Sequence, residues 1–239
     1  MLFLLKMVRW YSHFFSIFEN HLENRVMADN YLEKKFEEYR SNKGAAPKHK
    51  AAAAPSLDSL LLKNRSYRGY DPSYVVSREE LLKMVEVVTK VPSGKNGQVL
   101  RYRLVLPEDA PRLQQYTKWA GALPELNLPY PGTEPSAWII ICSTVPENKW
   151  VDIDLGIASQ SILLKAVEMG LNGICIGAFN KDSVMKEFNL QHEPVLLLAI
   201  GKGAEHIQLT RISGDDSRNY YRKDGVHFVP KLGLDDILI

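Results

Sequence analysis

Arg65, Ser66 and Arg68 lie within four residues of one another, in the stretch Asn64-Arg65-Ser66-Tyr67-Arg68-Gly69-Tyr70. Two guanidinium forks and a hydroxyl at that spacing suit a phosphate or a flavin edge, because Arg offers planar, permanently charged donors and Ser a short one beside them. A short basic run alone is more often solvated surface than a site. Two further regions strengthen the functional reading. One is the polar loop Pro92-Ser93-Gly94-Lys95-Asn96-Gly97-Gln98, and the other is Ile176-Gly177-Ala178 at the end of an apolar run. Pro-Ser-Gly and Asn-Gly are also ordinary turn formers. This loop, however, follows a helix opened by the capping box Ser77-Arg78-Glu79-Glu80.

The elements around these residues can be read from period and punctuation. A short helix is expected over 56–63, with Leu57, Leu60 and Leu61 turned inward, leading straight into the Arg-Ser-Tyr-Arg segment. The capped helix should run from 77 to about 90, stopped by Pro92 and Gly94. Tyr102 to Leu106 alternates as a strand, and Asp109 opens another helix. Residues 120–136, rich in Pro and Gly, read as a long loop of the kind that often covers a binding surface. The run Ala137 to Val145 suits a strand buried on both faces. Residues 150–169 read as a helix apolar on nearly every side, hence buried in the core or against another subunit, and ended by Gly170. A strand at 174–176, a helix capped by Asp182 and running to Phe188, and a buried strand at 194–200 follow. The tail from Tyr220 to Pro230 mixes aromatics with basic residues. Alternating strands and helices give a mixed class, α/β or α+β.

Before residue 56 the signals are weaker. Residues 29–41 look helical, and 44–55, small residues between two prolines, read as a connector. The chain therefore divides into an extension and linker over 1–55 and a domain over 56–239. The apolar start Met1 to Trp10 is broken by Lys6 and Arg9 and is too short for a signal peptide or a membrane span. We expect residues 1–26 to be a non-native start, with Met27-Ala28-Asp29 a natural beginning; the alternative is an amphipathic arm that packs on a partner.

Composition excludes several classes. Thirty basic against 28 acidic residues leave a formal charge of +2, so no nucleic-acid face is expected. The scattered histidines have no metal-ligand spacing, and no Gly-x-Gly-x-x-Gly or Walker loop is present. Cys142 and Cys175, both in apolar runs, are expected to be buried small hydrophobes. Reduced thiols fit a cytoplasmic location, and no membrane association is expected.

In order and spacing, Asn64-Arg65-Ser66-Tyr67-Arg68, Pro92 to Gln98, Asp154-Leu155-Gly156-Ile157-Ala158-Ser159-Gln160 through Gly170-Leu171, and the strand Pro194 to Gly201 resemble the FMN-dependent nitroreductase family. The resemblance covers roughly residues 56–230. It implies a three-layer α-β-α sandwich and an intertwined homodimer, with FMN held at the subunit interface. It also implies NADPH or NADH as electron donor, and a nitroaromatic, quinone or similar flat acceptor reduced by a ping-pong mechanism. No side chain is implied as a catalytic nucleophile; hydride passes through flavin N5. The cofactor contacts carried over are Asn64, Arg65, Ser66 and Arg68; Pro92, Ser93, Asn96 and Gln98; and Ile176, Gly177 and Ala178. Asn64 stands where the family has a first Arg, so a phosphate contact has to come from the tail, with Arg218 and Arg222 the candidates. Gly177 stands where many relatives carry an acidic residue. Tyr130, Trp119 and Trp138 are candidates for the wall of the acceptor slot, with ordinary packing the commoner role of such aromatics. Alternatives on the same fold are a dehalogenase-like or flavin-consuming enzyme, or a flavin-binding protein with little turnover.

Overall fold

The middle strand of the sheet explains most of the architecture. Ala-Trp-Ile-Ile-Ile-Cys-Ser has no polar face, so water cannot border it on either side. In the computed structural model, which describes residues 54–121 and 123–239, it forms β2 (Ala137–Ser143), with every residue buried. Antiparallel neighbours flank it: β1 (Leu100–Val105) and β4 (Glu193–Gly201), with β3 (Asn172–Ile176) beyond, in the order β1-β2-β4-β3. A register shift between Ile141 and Cys142 marks a bulge.

Alternate side chains of β2 go to opposite layers. Ile139 and Ile141 pack with Leu81 and Met84 of α2 (Arg78–Glu86) and with Ile162, Leu163 and Ala166 of α4 (Lys149–Glu168). Trp138 and Ile140 pack on the other face with Leu113 of α3 (Ala110–Gln114) and Val184 of α5 (Lys181–Glu187). The result is the expected α-β-α sandwich, with an antiparallel central sheet that makes it α+β in detail. The helices begin and end where local chemistry says they should. Ser77 Oγ accepts from the Glu80 amide at 3.3 Å, while Glu80 accepts from the Ser77 amide at 2.8 Å. Asn148 caps α4 through the Trp150 amide at 2.9 Å. Gly170, at φ +80°, turns the chain out of α4 so that the Leu171 amide reaches Ala166 O at 2.8 Å.

Two expectations need correction, and one segment gains structure. The short helix α1 (Leu57–Lys63) buries no residue, and Leu57, Leu61 and Leu62 face outward in the single chain. Helix α5 is capped by Asn180, whose side chain accepts from the Ser183 amide at 3.0 Å; Asp182 sits inside the first turn, where its charge meets the positive end of the helix. The tail, read from the sequence only as a mix of aromatic and basic residues, is built of strands. β5 (His206–Ile212), β6 (Tyr221–Lys223) and β7 (Val226–Leu232) form a small second sheet in the order β5-β7-β6. Its hairpin turns at Asp224-Gly225, both with positive φ, as an Asp-Gly turn requires. The helix expected over 29–41, the start segment and most of the connector lie outside the described residues. No helix of the described residues is long and apolar enough to cross a membrane.

Ser77→Ala removes the hydroxyl half of the capping box, leaving the Ser77 backbone amide on Glu80, and should cost about 1 kcal/mol. Ile140→Ala opens a cavity at a fully buried site and should cost about 2–5 kcal/mol. Urea unfolding of the two variants should rank them in that order.

Candidate functional site

The first motif leaves α1 and is stitched to the sheet at once. Asn64 closes α1, and its side-chain amide donates to Gln160 Oε1 of α4 at 3.2 Å. Ser66 bridges to Gly173 at the start of β3, with its hydroxyl-bearing residue exposed. A Cβ on Gly173 would lie 2.6 Å from Ala199 O of β4 and 2.7 Å from the Leu163 side chain of α4, so only glycine fits between the strand and the helix there. Arg65 donates to Leu61 O at 2.6 Å, yet its Nε is buried without an acceptor. Partial burial lowers the Arg65 pKa from its usual value, the physical sign of a cation short of solvent and of a counter-charge.

The second motif is a strained loop. Pro92 and Ser93 lead into a 3-10 turn over Gly94–Asn96, and Lys95, Asn96 and Gln98 all hold φ near +50°. Side chains pay roughly 1 kcal/mol or more each for that conformation, and such strain persists only where surroundings enforce it. Here the enforcing group is Asp154, buried on α4, whose Oδ1 accepts from the Gly94 amide at 2.7 Å. Ser93 Oγ accepts from the Gln98 amide at 3.2 Å, and Gln98 Nε2 donates to Asn96 Oδ1 at 3.2 Å. Pro92, Ser93 and Gln98 line a cavity of about 170 Å³ together with Tyr102, Asp154 and Ala158. Burial, aided by the Asp154 charge, pushes the Tyr102 hydroxyl up to about 12.

The third region closes β3. Ile176 points into the core, while Gly177 is exposed, with open space where a side chain would stand. Ala178 O accepts from the Lys118 amide at 2.8 Å, which ties this end of the strand to the segment after α3. Cys142 is buried as expected, and burial raises its thiol to about 11. Cys175 departs from expectation. It is exposed at its edge, although crowding around its sulfur raises the thiol pKa against the pull of a hydrogen bond from Ser159. Neither thiol is poised as a nucleophile.

Of the tail candidates, Arg222 joins the first motif and Arg218 does not. Arg218 is exposed and donates to Gly214 O at 3.4 Å. Arg222 pairs with Glu205, whose other oxygen accepts the Arg68 backbone amide. The Arg68 side chain is buried, 8% exposed, with its guanidinium 4.8 Å from the Tyr220 ring centre and 3.4 Å from His227 Nε2. His227 itself was not singled out by the sequence; its only signal is its place two residues after the Asp224-Gly225 turn. Burial first, then the Arg68 and Arg222 charges, depress the His227 pKa to about 4. Trp138 is a core side chain, fully buried and edge-on to Trp119 at 5.8 Å. Tyr130 lines the cavity beside Arg222. Pro92, Ser93 and Gln98 of the second motif line one cavity and Arg68 of the first lines another, with α4 bonded to both motifs.

A model described as the nitroreductase family matches residues 61–202, a span that holds all three motifs and stops before Arg218 and Arg222. The chain belongs to the nitroreductase family. Its curated relative YdgI of Bacillus subtilis, whose name provisionally assigns it NAD(P)H nitroreductase activity, is 28% identical over 59% of this chain and 85% of its own. Among solved structures, the fold is shared with a nitroreductase-family protein of Exiguobacterium sibiricum in complex with FMN. That match has a TM-score of 0.52 and 23% identity over 64% of this chain and 90% of that one. It is shared also with a variant of NfnB from Sphingopyxis sp. strain HMH, described as an FMN- and NADPH-dependent nitroreductase. There the TM-score is 0.59, with 19% identity over 77% and 98% of the two chains. The family's sandwich is the one built here by β2, α2 and α4, and the outer helices.

Asp154→Ala should release the strained loop at a cost of about 1–3 kcal/mol, since the Gly94 amide loses its acceptor; faster exchange of that amide is the readout, and Asp154→Asn, which keeps an oxygen acceptor, should retain most protection. His227 offers a pH test. Its folded pKa, about 4, lies below the ordinary 6.5, so between these values the unfolded chain binds the extra proton. Stability from this group is complete above 6.5 and is lost as pH falls toward 4, and His227→Phe should flatten that part of the stability profile.

Proposed function

We propose that the protein is an FMN-dependent NAD(P)H oxidoreductase that reduces nitroaromatics, quinones or related flat acceptors as a homodimer. The observation that carries this reading is the way α4 gathers the motifs. Asp154 holds the second motif and Gln160, six residues on and so about 9 Å along the axis, holds the first. Residues present in the chain suit an anionic flavin nucleotide. Arg65 has a buried donor lacking an acceptor, Ser66 presents an exposed residue beside it, and Gly177 leaves open space at the other end of β3.

When bound, FMN supplies the redox chemistry, taking hydride from NADPH or NADH and passing electrons to an acceptor after the first product leaves. The protein's own residues do the rest. In this proposal Arg65 and Ser66 bind the phosphate end, with Asn64 held in place by Gln160. Asn96 and Gln98, fixed by the strained loop, face the polar edge of the ring, and donors there favour negative charge on it. Ile176, Gly177 and Ala178 bring backbone close to the ring. Arg68 and Arg222, expected in the same cradle, face the neighbouring C-terminal cavity.

What the sheet leaves uncovered supports the dimer reading. Trp150, Ile153, Ile157 and Leu164 form a stripe at helical spacing on α4 that stays exposed or half-buried, and the outward leucines of α1 add to the apolar surface. A second copy covers such a stripe by a two-fold, self-complementary contact. It would also explain why a single chain presents the motifs as separate concavities.

Two variants test the reading. Arg65→Ala should weaken FMN binding at least about tenfold, the value of one charge-assisted contact, as followed by quenching of flavin fluorescence; unchanged affinity would remove Arg65 from the cradle. Ile157→Asp should turn a sedimenting dimer into a monomer and lose FMN with it. A monomeric parent that still binds FMN fully would refute the shared site.

A further inference from the structure

The small second sheet has an edge that no strand among the described residues covers. β5 lies beyond residue 202, where the family match ends. It pairs with β7 along its whole length, from His206↔Val226 to Ile212↔Leu232, without a bulge. The sheet order puts β7 in the middle, so the other side of β5 is an outer edge. Outside that ladder, no backbone group of residues 206–212 is hydrogen-bonded to the backbone of another described residue. An edge strand presents a row of unpaired N–H and C=O groups, and proteins normally blunt it with charge, proline, a bulge, brevity or cover. The other edges among the described strands are blunted in these ways. β1 carries Arg101 and Arg103, both exposed. β3 is bridged at Gly173 by Ser66. β6 is three residues long and holds Arg222 and Lys223. β5 runs for seven residues with no proline and a single charged side chain, Arg211, next to its end.

The side chains of β5 select what fits there. A two-fold axis normal to a sheet sets a strand antiparallel to its own copy, with one residue opposite itself. An axis at Leu209 is the one that engages the whole strand. It sets Leu209 on Leu209, Gln208 on Thr210 and Ile207 on Arg211 of the second copy. Apolar then meets apolar at the centre, amide meets hydroxyl beside it, and no guanidinium meets another; an axis at Arg211 would oppose two like charges. We propose that β5 pairs antiparallel with β5 of a second copy across a two-fold axis at Leu209, joining two three-stranded sheets into one of six. One strand a side is less than the roughly 20–30 residues a side of a stable interface. The contact is therefore weak, joins copies at high concentration, and adds to the α4 contact without replacing it.

The test begins with the unaltered full-length chain. Amide hydrogen exchange should show the outward amides of β5 exchanging fast in dilute protein and slowing several-fold as the concentration rises, with β7 unchanged. Amides already slow at high dilution mean that the chain covers its own edge, which overturns the proposal, as do amides that stay fast at every concentration. Disulfide trapping then reads the register in a Cys175→Ser background, which removes the exposed native thiol. Opposite residues of an antiparallel pair have Cα atoms about 4.5–5.5 Å apart, within reach of a disulfide. Leu209→Cys should cross-link to itself under oxidised glutathione. Gln208→Cys and Thr210→Cys should each fail alone and cross-link when mixed. Equal cross-linking at all three positions shows random collision, and any other pairing shows another register; either overturns the assignment. None of these readouts uses FMN, so a chain that pairs this way but takes up no flavin refutes the flavin reading alone.

Discussion

Helix α4 is apolar on nearly every side, and the described residues do not cover it completely. The sheet takes Ile162, Leu163 and Ala166, and the stripe Trp150, Ile153, Ile157 is left over. Burial of each large apolar side chain contributes about 1.5–3 kcal/mol, so the uncovered flank is a strong driving force for association. The same helix places two polar groups with care. Asp154 is buried and spends its charge on one backbone amide, and Gln160 reaches Asn64. The strained loop and the first motif are therefore held at fixed positions along one rigid rod. Their geometry is only as good as the packing of α4 on β2 and β4.

That arrangement separates rigidity from reactivity. The core is ordinary close-packed aliphatic chemistry, with both cysteines raised out of the nucleophilic range. What remains for the site is a set of donors, open space at Gly177 and a loop whose backbone is bent into an unfavourable conformation. Such a set is suited to binding and orienting a reactive group. This is the division of labour expected where a cofactor carries the chemistry.

Much of this was legible in the sequence, because the signals were local. The Ser77-Glu80 capping box, the Gly170 stop and the polarity-free run of β2 each act through neighbours in the chain. Helix α1 was misread because its leucine spacing states that a face is apolar, not which surface covers it. Asn180 displaced Asp182 as a cap by a matter of two residues, a distance at which side-chain oxygens compete for the same amides. The tail was missed although Asp224-Gly225 is a strong hairpin signal. Its strands are short, and β5 pairs in parallel with a strand far along the chain. His227 could not be singled out, since its importance lies in Arg68, brought to it by the fold across 159 positions.

The central claim is that bound flavin in this chain accepts hydride from a nicotinamide and hands electrons on. The direct measurement is the visible spectrum of the FMN-reconstituted protein under anaerobic conditions, with NADPH or NADH added and then a quinone or nitroaromatic. Loss of the flavin bands on adding a nicotinamide, and their return with the acceptor, is the predicted result. A protein that takes up no FMN, or whose bound flavin stays oxidised with both nicotinamides, would contradict it.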